Sequence, residues 1–221
     1  RDQPRSRGLG DVYKRQVRNY TNRFVYVSLS GKIESLTIDD CIFIGADNST
    51  TNKAIYASSA HTQVETLSVT NFTFLNFNTG SNYFFRINCG EELVLMPVVL
   101  IDHCTFYNCY DRRGVYLYNA GRSTIKNCIS AFSERRDDTK SFTAYGDESI
   151  VKNVISYNVD LYGSAPKENI ISKNPLFVDA ENGNFQLYKD SPAVGAGDDG
   201  SDLGDPRWGV STENAPVGEL P

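Results

Sequence analysis

Histidine, tryptophan and methionine are almost missing from this sequence: two His, one Trp and one Met in 221 residues. His61 and His103 lie far apart in the chain, and the five cysteines show no clustered ligand spacing, so a His/Cys metal centre is not expected. No run of about 18 apolar residues occurs, which excludes a membrane-spanning helix. No signal peptide is visible. Positive charge is not in excess, and a net charge of -5 argues against a dedicated nucleic-acid binder. No phosphate-cradling loop and no Ser/His/Asp pattern is present. The remaining composition is that of a soluble globular chain, 40% apolar and 22% charged. Thirteen Tyr and twelve Phe give it a rigid, β-leaning character.

What the chain does contain is a repeat. Val99-Leu100-Ile101-Asp102-His103-Cys104-Thr105-Phe106 recurs as Leu36–Phe43, Leu67–Phe74, Thr124–Ser130 and Ile150–Ser156. Each copy reads apolar, polar, an Asp/Asn-type bend, then Cys or another apolar residue. The Cys-type positions 41, 72, 104, 128 and 154 are 31, 32, 24 and 26 residues apart. A self-similar period of this size predicts a solenoid. A second strand recurs upstream of each motif: Phe24–Ser28, Ala54–Ser58, Phe84–Asn88, Val115–Tyr118 and Phe142–Tyr145. Alternation with period two and the β-branched and aromatic content exclude helical repeats.

Three short strands per coil, a tight bend and two variable loops predict an all-β, right-handed parallel β-helix over residues 17–178. An irregular C-terminal cap is expected over 179–221, with Phe185, Leu187, Val194 and Trp208 covering the last coil. Residues 1–16 fit no repeat. Gly10–Gln16 looks like translated adapter sequence, so this stretch is expected to be non-native or a disordered tail, with the natural chain continuing upstream. Ile38, Phe43, Val69, Phe74, Ile101, Phe106, Ile125 and Val151 are expected to face inward. Asn71, Asn127 and Asn153 are expected to stack as an amide ladder that Asp40 and His103 interrupt. Cys41, Cys104 and Cys128 share one repeat phase, a poor geometry for disulfides, and read as small buried hydrophobes.

The bend motif, with Asn174-Pro175-Leu176-Phe177-Val178-Asp179, Ser191–Gly197 and Gly204-Asp205-Pro206-Arg207-Trp208, resembles bacterial pectate-lyase-like right-handed β-helix proteins. In particular it resembles the C-terminal, functionally uncharacterised domain of secreted or surface polysaccharide-utilisation proteins. The resemblance covers roughly residues 17–209. It implies a polysaccharide partner, a secreted or cell-surface location, and a substrate trough along the outer face of one sheet.

The matching face is that of the upstream strands. If Val25, Ile55, Phe85, Val115 and Phe142 point inward, then Tyr26, Tyr56, Arg86, Tyr116, Tyr118, Thr143 and Tyr145 point outward. Tyr rings offer flat apolar faces to sugar rings, and Arg86 suits a uronate carboxylate. A stacked ladder that only stabilises the sheet is the alternative. On the loops, Arg112 and Arg136 are expected on adjacent coils, as a grip for an acidic glycan or as a solvated salt-bridge ladder. A polysaccharide lyase needs a base and a positive group, for which Arg86 and then Lys140 are the candidates. No outward position is acidic, which departs from calcium-dependent relatives. Asp198-Asp199-Gly200-Ser201-Asp202 reads as a polar turn in preference to a calcium loop. The expectation is a monomeric domain that binds or helps process a polysaccharide, without a cofactor. A polyuronate lyase and a non-catalytic stalk or adhesin are the alternatives.

Overall fold

The computed structural model describes residues 10–13, 16–18, 23–27, 31–45, 53–57, 62–77, 85–87, 97–109, 113–117, 122–135 and 137–216. The strands in the first half are β1 (Gly10–Tyr13), β2 (Gln16–Arg18), β3 (Arg23–Val27), β4 (Gly31–Asp39), β5 (Ile42–Ile44), β6 (Lys53–Ala57), β7 (Thr62–Leu75) and β8 (Phe85–Ile87). They continue as β9 (Val98–Tyr107), β10 (Val115–Leu117), β11 (Arg122–Ala131), β12 (Lys140–Ala144), β13 (Ile150–Tyr157), β14 (Asp160–Tyr162), β15 (Lys167–Ile171), β16 (Phe177–Asp179) and β17 (Asn184–Leu187).

The chain is a parallel β-solenoid. A long sheet has the order β1-β4-β7-β9-β11-β13-β15, and a short sheet the order β14-β12-β10-β8-β6-β3. Successive coils contribute one strand to each sheet, always parallel to the coil before. β1 pairs with β4, Gly10 opposite Leu36, although residues 10–13 were expected to lie outside the repeats. The physical reason is the open edge of β4, whose unpaired backbone groups bind any extended neighbouring segment.

Each long strand turns a corner at its motif. The corner residues Asp40, Asn71, His103, Asn127, Asn153 and Asn169 all hold φ between 50° and 52°, a left-handed conformation that Asn and Asp accept most readily after Gly. Asn169 lies in β15, so the loosely patterned stretch after Asn158 is a true last coil. The amide ladder forms only in part. Asn169 Nδ2 donates to Asn153 Oδ1 at 2.9 Å, whereas Asn127 Nδ2 donates to Asp102 Oδ1 and Asp198 Oδ1.

The expected core residues are all buried, and like stacks on like: the rings of Phe74 and Phe106 lie 4.8 Å apart and nearly parallel. Cys41, Cys104 and Cys128 are buried thiols in this core, outside any disulfide, and so is Cys109.

The C-terminal segment does not close the end of the solenoid as a cap. It runs back along the outside of the long sheet as a strap. Phe185, Leu187, Ala193 and Leu203 pack on Leu75, Tyr107, Ile129 and Ile155, with Trp208 against them. Val194 stays exposed. The reason lies in the outward residues after each corner. Thr73, Thr105, Ile129 and Ile155 form an apolar and hydroxyl-bearing stripe that is covered more cheaply along its length than at one end.

Candidate functional site

The outer face of the short sheet carries the expected column. Tyr26 pairs with Tyr56, Tyr56 with Arg86, Arg86 with Tyr116 and Tyr116 with Thr143, while Ile55, Phe85, Val115 and Phe142 are buried on the other face. Tyr162, opposite Thr143, continues the column, a position the repeat pattern did not reveal because the last coil is shortened. The two ends are open, with Tyr26 49% and Tyr162 56% exposed. The middle is not: Tyr116 is 7% exposed and Thr143 fully buried. The Arg113 guanidinium stacks over the Tyr116 ring at 4.7 Å, and Tyr145 meets that ring edge-on. Thr143 Oγ1 donates to the Arg113 carbonyl at 2.9 Å. At the first end, the Tyr26 and Tyr56 rings lie 5.8 Å apart. Arg86 approaches the Tyr56 hydroxyl at 3.4 Å with its guanidinium 5.8 Å from the ring centre.

Other predicted positions behave differently. Tyr118, Arg112 and Arg136 lie outside the described residues. Lys140 stands three residues and two strands from Arg86 in the register, on the order of 14 Å, so the two candidate bases do not share a site. Lys140 Nζ instead faces Asp160 at 3.5 Å, and Asp160 also takes Arg135 at 2.9 Å. Arg135, Lys140 and Asp160 thus form a solvent-exposed salt-bridge cluster.

A second constellation went unseen in the sequence. His103 Nδ1 lies 2.9 Å from Asp102 Oδ1, and its Nε2 lies 2.7 Å from Ser201 Oγ on the strap. Ser201 Oγ in turn donates to Asp199 Oδ1 at 2.5 Å. The hydrogen bond to Asp102 raises the His103 pKa against the opposing effect of burial. Burial pushes the Asp102 carboxyl up, but His103, Lys126 and Asn127 outweigh it and hold it below the ordinary value. Asp198 binds Lys126 at 3.2 Å and Lys152 at 3.0 Å, joining strap to solenoid beside this chain. The group borders a crevice of about 440 Å³, walled by Ile129, Phe185, Leu203 and Trp208. The available signal was His103 itself, a histidine at a corner that other coils give to Asp or Asn. Its partners, about 100 residues downstream, had no periodic cue.

Asp205 is the third strap anchor. Its carboxylate accepts from Thr73 Oγ1 at 2.7 Å and from Arg207 Nε at 2.7 Å, while its amide donates to Thr105 Oγ1. Trp208 Nε1 donates to Thr73, and Arg207 reaches Asp40 at 2.8 Å. The Gly-Asp-Pro-Arg-Trp signature is therefore a docking motif between strap and coils. The carboxylates of Asp198, Asp199 and Asp202 accept from Asn127, Lys126 and Lys152 and from the strap's own Ser201 and Gly195. Among the described residues, no group of three or more His, Cys, Asp or Glu side chains is placed to hold a metal ion. Nor is any helix among them long and apolar enough to cross a membrane.

Fold and face together define a parallel β-solenoid with an aromatic strip on one sheet and a C-terminal strap on the other. Within that class, residues 99–208 match the family model described as a domain of unknown function (DUF5123). The match runs from β9 to Trp208, so it takes in His103, Ser201 and the strap anchors but not Tyr26, Tyr56 or Arg86. No curated protein matches the chain.

Proposed function

We propose that this solenoid binds a polysaccharide along the outer face of its short sheet, as a monomer and outside the cell, and so helps to process that polymer. The observation that carries the reading is the alignment of Tyr26, Tyr56 and Arg86 at one register position on three successive strands. Parallel strands repeat about every 4.8 Å, so equivalent side chains meet a linear polymer at regular intervals. Tyrosine faces suit the apolar faces of sugar rings, and their hydroxyls suit the polar edges. Arg86 adds a fork of donors for a carboxylate or hydroxyl pair.

The approach of Arg86 to the Tyr56 hydroxyl supports a second reading, a polyuronate lyase. There Arg86 neutralises the substrate carboxylate while a neighbouring group takes the proton. Affinity electrophoresis of the full chain against acidic and neutral polysaccharides tests the binding reading. Retardation by one glycan, lost in Tyr56→Ala and Arg86→Ala, supports it. Unsaturated products appearing with that glycan would favour the lyase. Equal migration with every glycan would sink both and leave a structural stalk.

A further inference from the structure

We propose that His103 is a pH-sensitive latch: it holds the strap segment 198–202 on the solenoid while the imidazole carries its second proton, and lets the segment go when that proton leaves. The hydrogens around the imidazole can be counted. Ser201 Oγ spends its only proton on Asp199 Oδ1 at 2.5 Å, so toward His103 Nε2 at 2.7 Å it can only accept. Asp102 is a carboxylate and can only accept from Nδ1 at 2.9 Å. Both ring nitrogens must then be donors, which describes an imidazolium. A neutral imidazole has one N–H. It must give up Asp102, or give up Ser201, or pull the Ser201 proton away from Asp199. Giving up Asp102 costs a bond on the coil, giving up Ser201 costs the link between coil and strap, and taking the proton from Asp199 costs a bond within the strap, so the docked strap is one hydrogen bond short in every case.

The surrounding charges agree. Asp102 on the same strand and Asp199 on the strap both favour the cation. Lys126 on β11 opposes it, but Lys126 is itself paired with Asp102 at 3.3 Å and Asp198 at 3.2 Å. Lys152 on β13 is occupied by Asp198 at 3.0 Å. Asp202 lines the same crevice, where it accepts the Gly195 amide. The corner itself does not need histidine, because Asp40, Asn71, Asn127, Asn153 and Asn169 hold the same backbone conformation. Gly200 to Leu203 form one wall of the crevice, so the latch controls access to the apolar surface of Ile129 and Phe185 beneath.

The Asp102, His103 and Ser201 atoms also lie in the order of an acyl-transfer relay. Asp199 argues against that use. It holds the proton that His103 would have to remove, and it sets a negative charge beside an oxygen that must carry an acyl group through an oxyanion.

The sign follows from the raised pKa. The latch contributes fully below the unfolded-state value and is lost as pH rises through the folded-state value. Amide hydrogen exchange of the full chain, followed by mass spectrometry between about pH 5 and about pH 9 and corrected for intrinsic pH dependence, reads it directly. Peptides spanning 197–204 should lose protection about tenfold for each unit by which the His103 pKa is raised, while those spanning 205–211 hold theirs. His103→Asn keeps the corner and should remove the pH dependence. A pH-independent profile in the wild type would overturn the latch, as would an unchanged profile in His103→Asn. Covalent labelling of Ser201 by a fluorophosphonate would overturn it in favour of the relay.

Discussion

Thr73 and Asp205 stand 132 residues apart in sequence and 2.7 Å apart in space, the Thr73 hydroxyl donating to a carboxylate oxygen of Asp205. The same carboxylate receives Arg207, and Arg207 continues to Asp40 and to the carbonyls of Cys41 and Asn71. One buried acid therefore ties the end of the chain to the coils nearest its beginning. Burial pushes the Asp205 carboxyl up against the pull of Thr73 and Arg207. Removing the carboxylate leaves the Thr73 hydroxyl without its acceptor and takes from Arg207 its buried ionic partner, while the Thr105 contact, made by the backbone amide, remains. Asp205→Ala should cost about 2–4 kcal/mol in a urea titration. A loss below about 0.5 kcal/mol would mean that the strap does not unfold with the coils.

The glycine before it makes a sharper test of fit. Gly204 has φ +87°, and a Cβ there would stand 2.7 Å from Thr105 Oγ1 and 2.9 Å from Ile129 Cδ1. Gly200 has a similar φ of +81° but open space around it. Both alanine variants carry the backbone penalty of about 1 kcal/mol. Only Gly204→Ala must also push the strap off the sheet, so its loss should exceed that of Gly200→Ala by about 1–3 kcal/mol. Equal melting temperatures for the two would show that the close approach over Ile129 is not maintained in solution.

Tyr116 separates packing from binding on the short sheet. At 7% exposure under Arg113 and Tyr145, it has the surroundings of a core residue. Tyr116→Ala should destabilise the fold by about 2–4 kcal/mol. Tyr26→Ala, at an open end of the column, should leave stability nearly unchanged, and Tyr26→Ala and Tyr56→Ala should each weaken glycan binding by about tenfold. Calorimetry with and without the retarding glycan checks both halves. Full stability of Tyr116→Ala would contradict the covered middle of the column.

The coils were legible in the sequence because a solenoid repeats its burial pattern. Ile38, Val69, Ile101, Ile125 and Val151 fall in one phase because each must bury against the next. The inward and outward sets of the short sheet follow from the same alternation. The strap was not legible. Its contacts join residues such as Arg207 and Asp40, 167 positions apart, with no period to mark them. Apolar content alone suggested a lid on the last coil, but hydroxyls at Thr73 and Thr105 direct the segment along the flank. In the sequence His103 is only a break in the Asn ladder, because its role depends on Ser201 arriving from the strap.

The buried thiols make a chemical prediction. Cys41, Cys104, Cys109 and Cys128 are buried thiols outside any disulfide, and burial pushes the Cys104 thiol well up. A thiolate is the reactive form, so none of the four should react with iodoacetamide in the native protein at neutral pH. All four should react in denaturant. Peptide mapping separates them from Cys89, which lies outside the described residues. Fast native labelling at Cys104 or Cys128 would show that the coils open far more readily than their packing implies.

Asp198 sets the acid limit of the same strap that His103 limits on the alkaline side. Asn127 first, then Lys152 and Lys126, hold its carboxyl well below the usual range. A depressed folded-state pKa contributes stability that is present above the ordinary value and lost as pH falls through the folded one. The strap should therefore loosen from about pH 4 downward as Asp198 begins to take up its proton. Asp198→Asn keeps the shape and the Asn127 contact but loses both lysines as ionic partners. It should show weaker exchange protection of residues 197–204 at neutral pH and a flatter acid limb. Wild-type protection in Asp198→Asn at neutral pH would mean that the lysine pairs are solvated surface contacts, and that His103, Asp205 and their partners hold the strap in place without them.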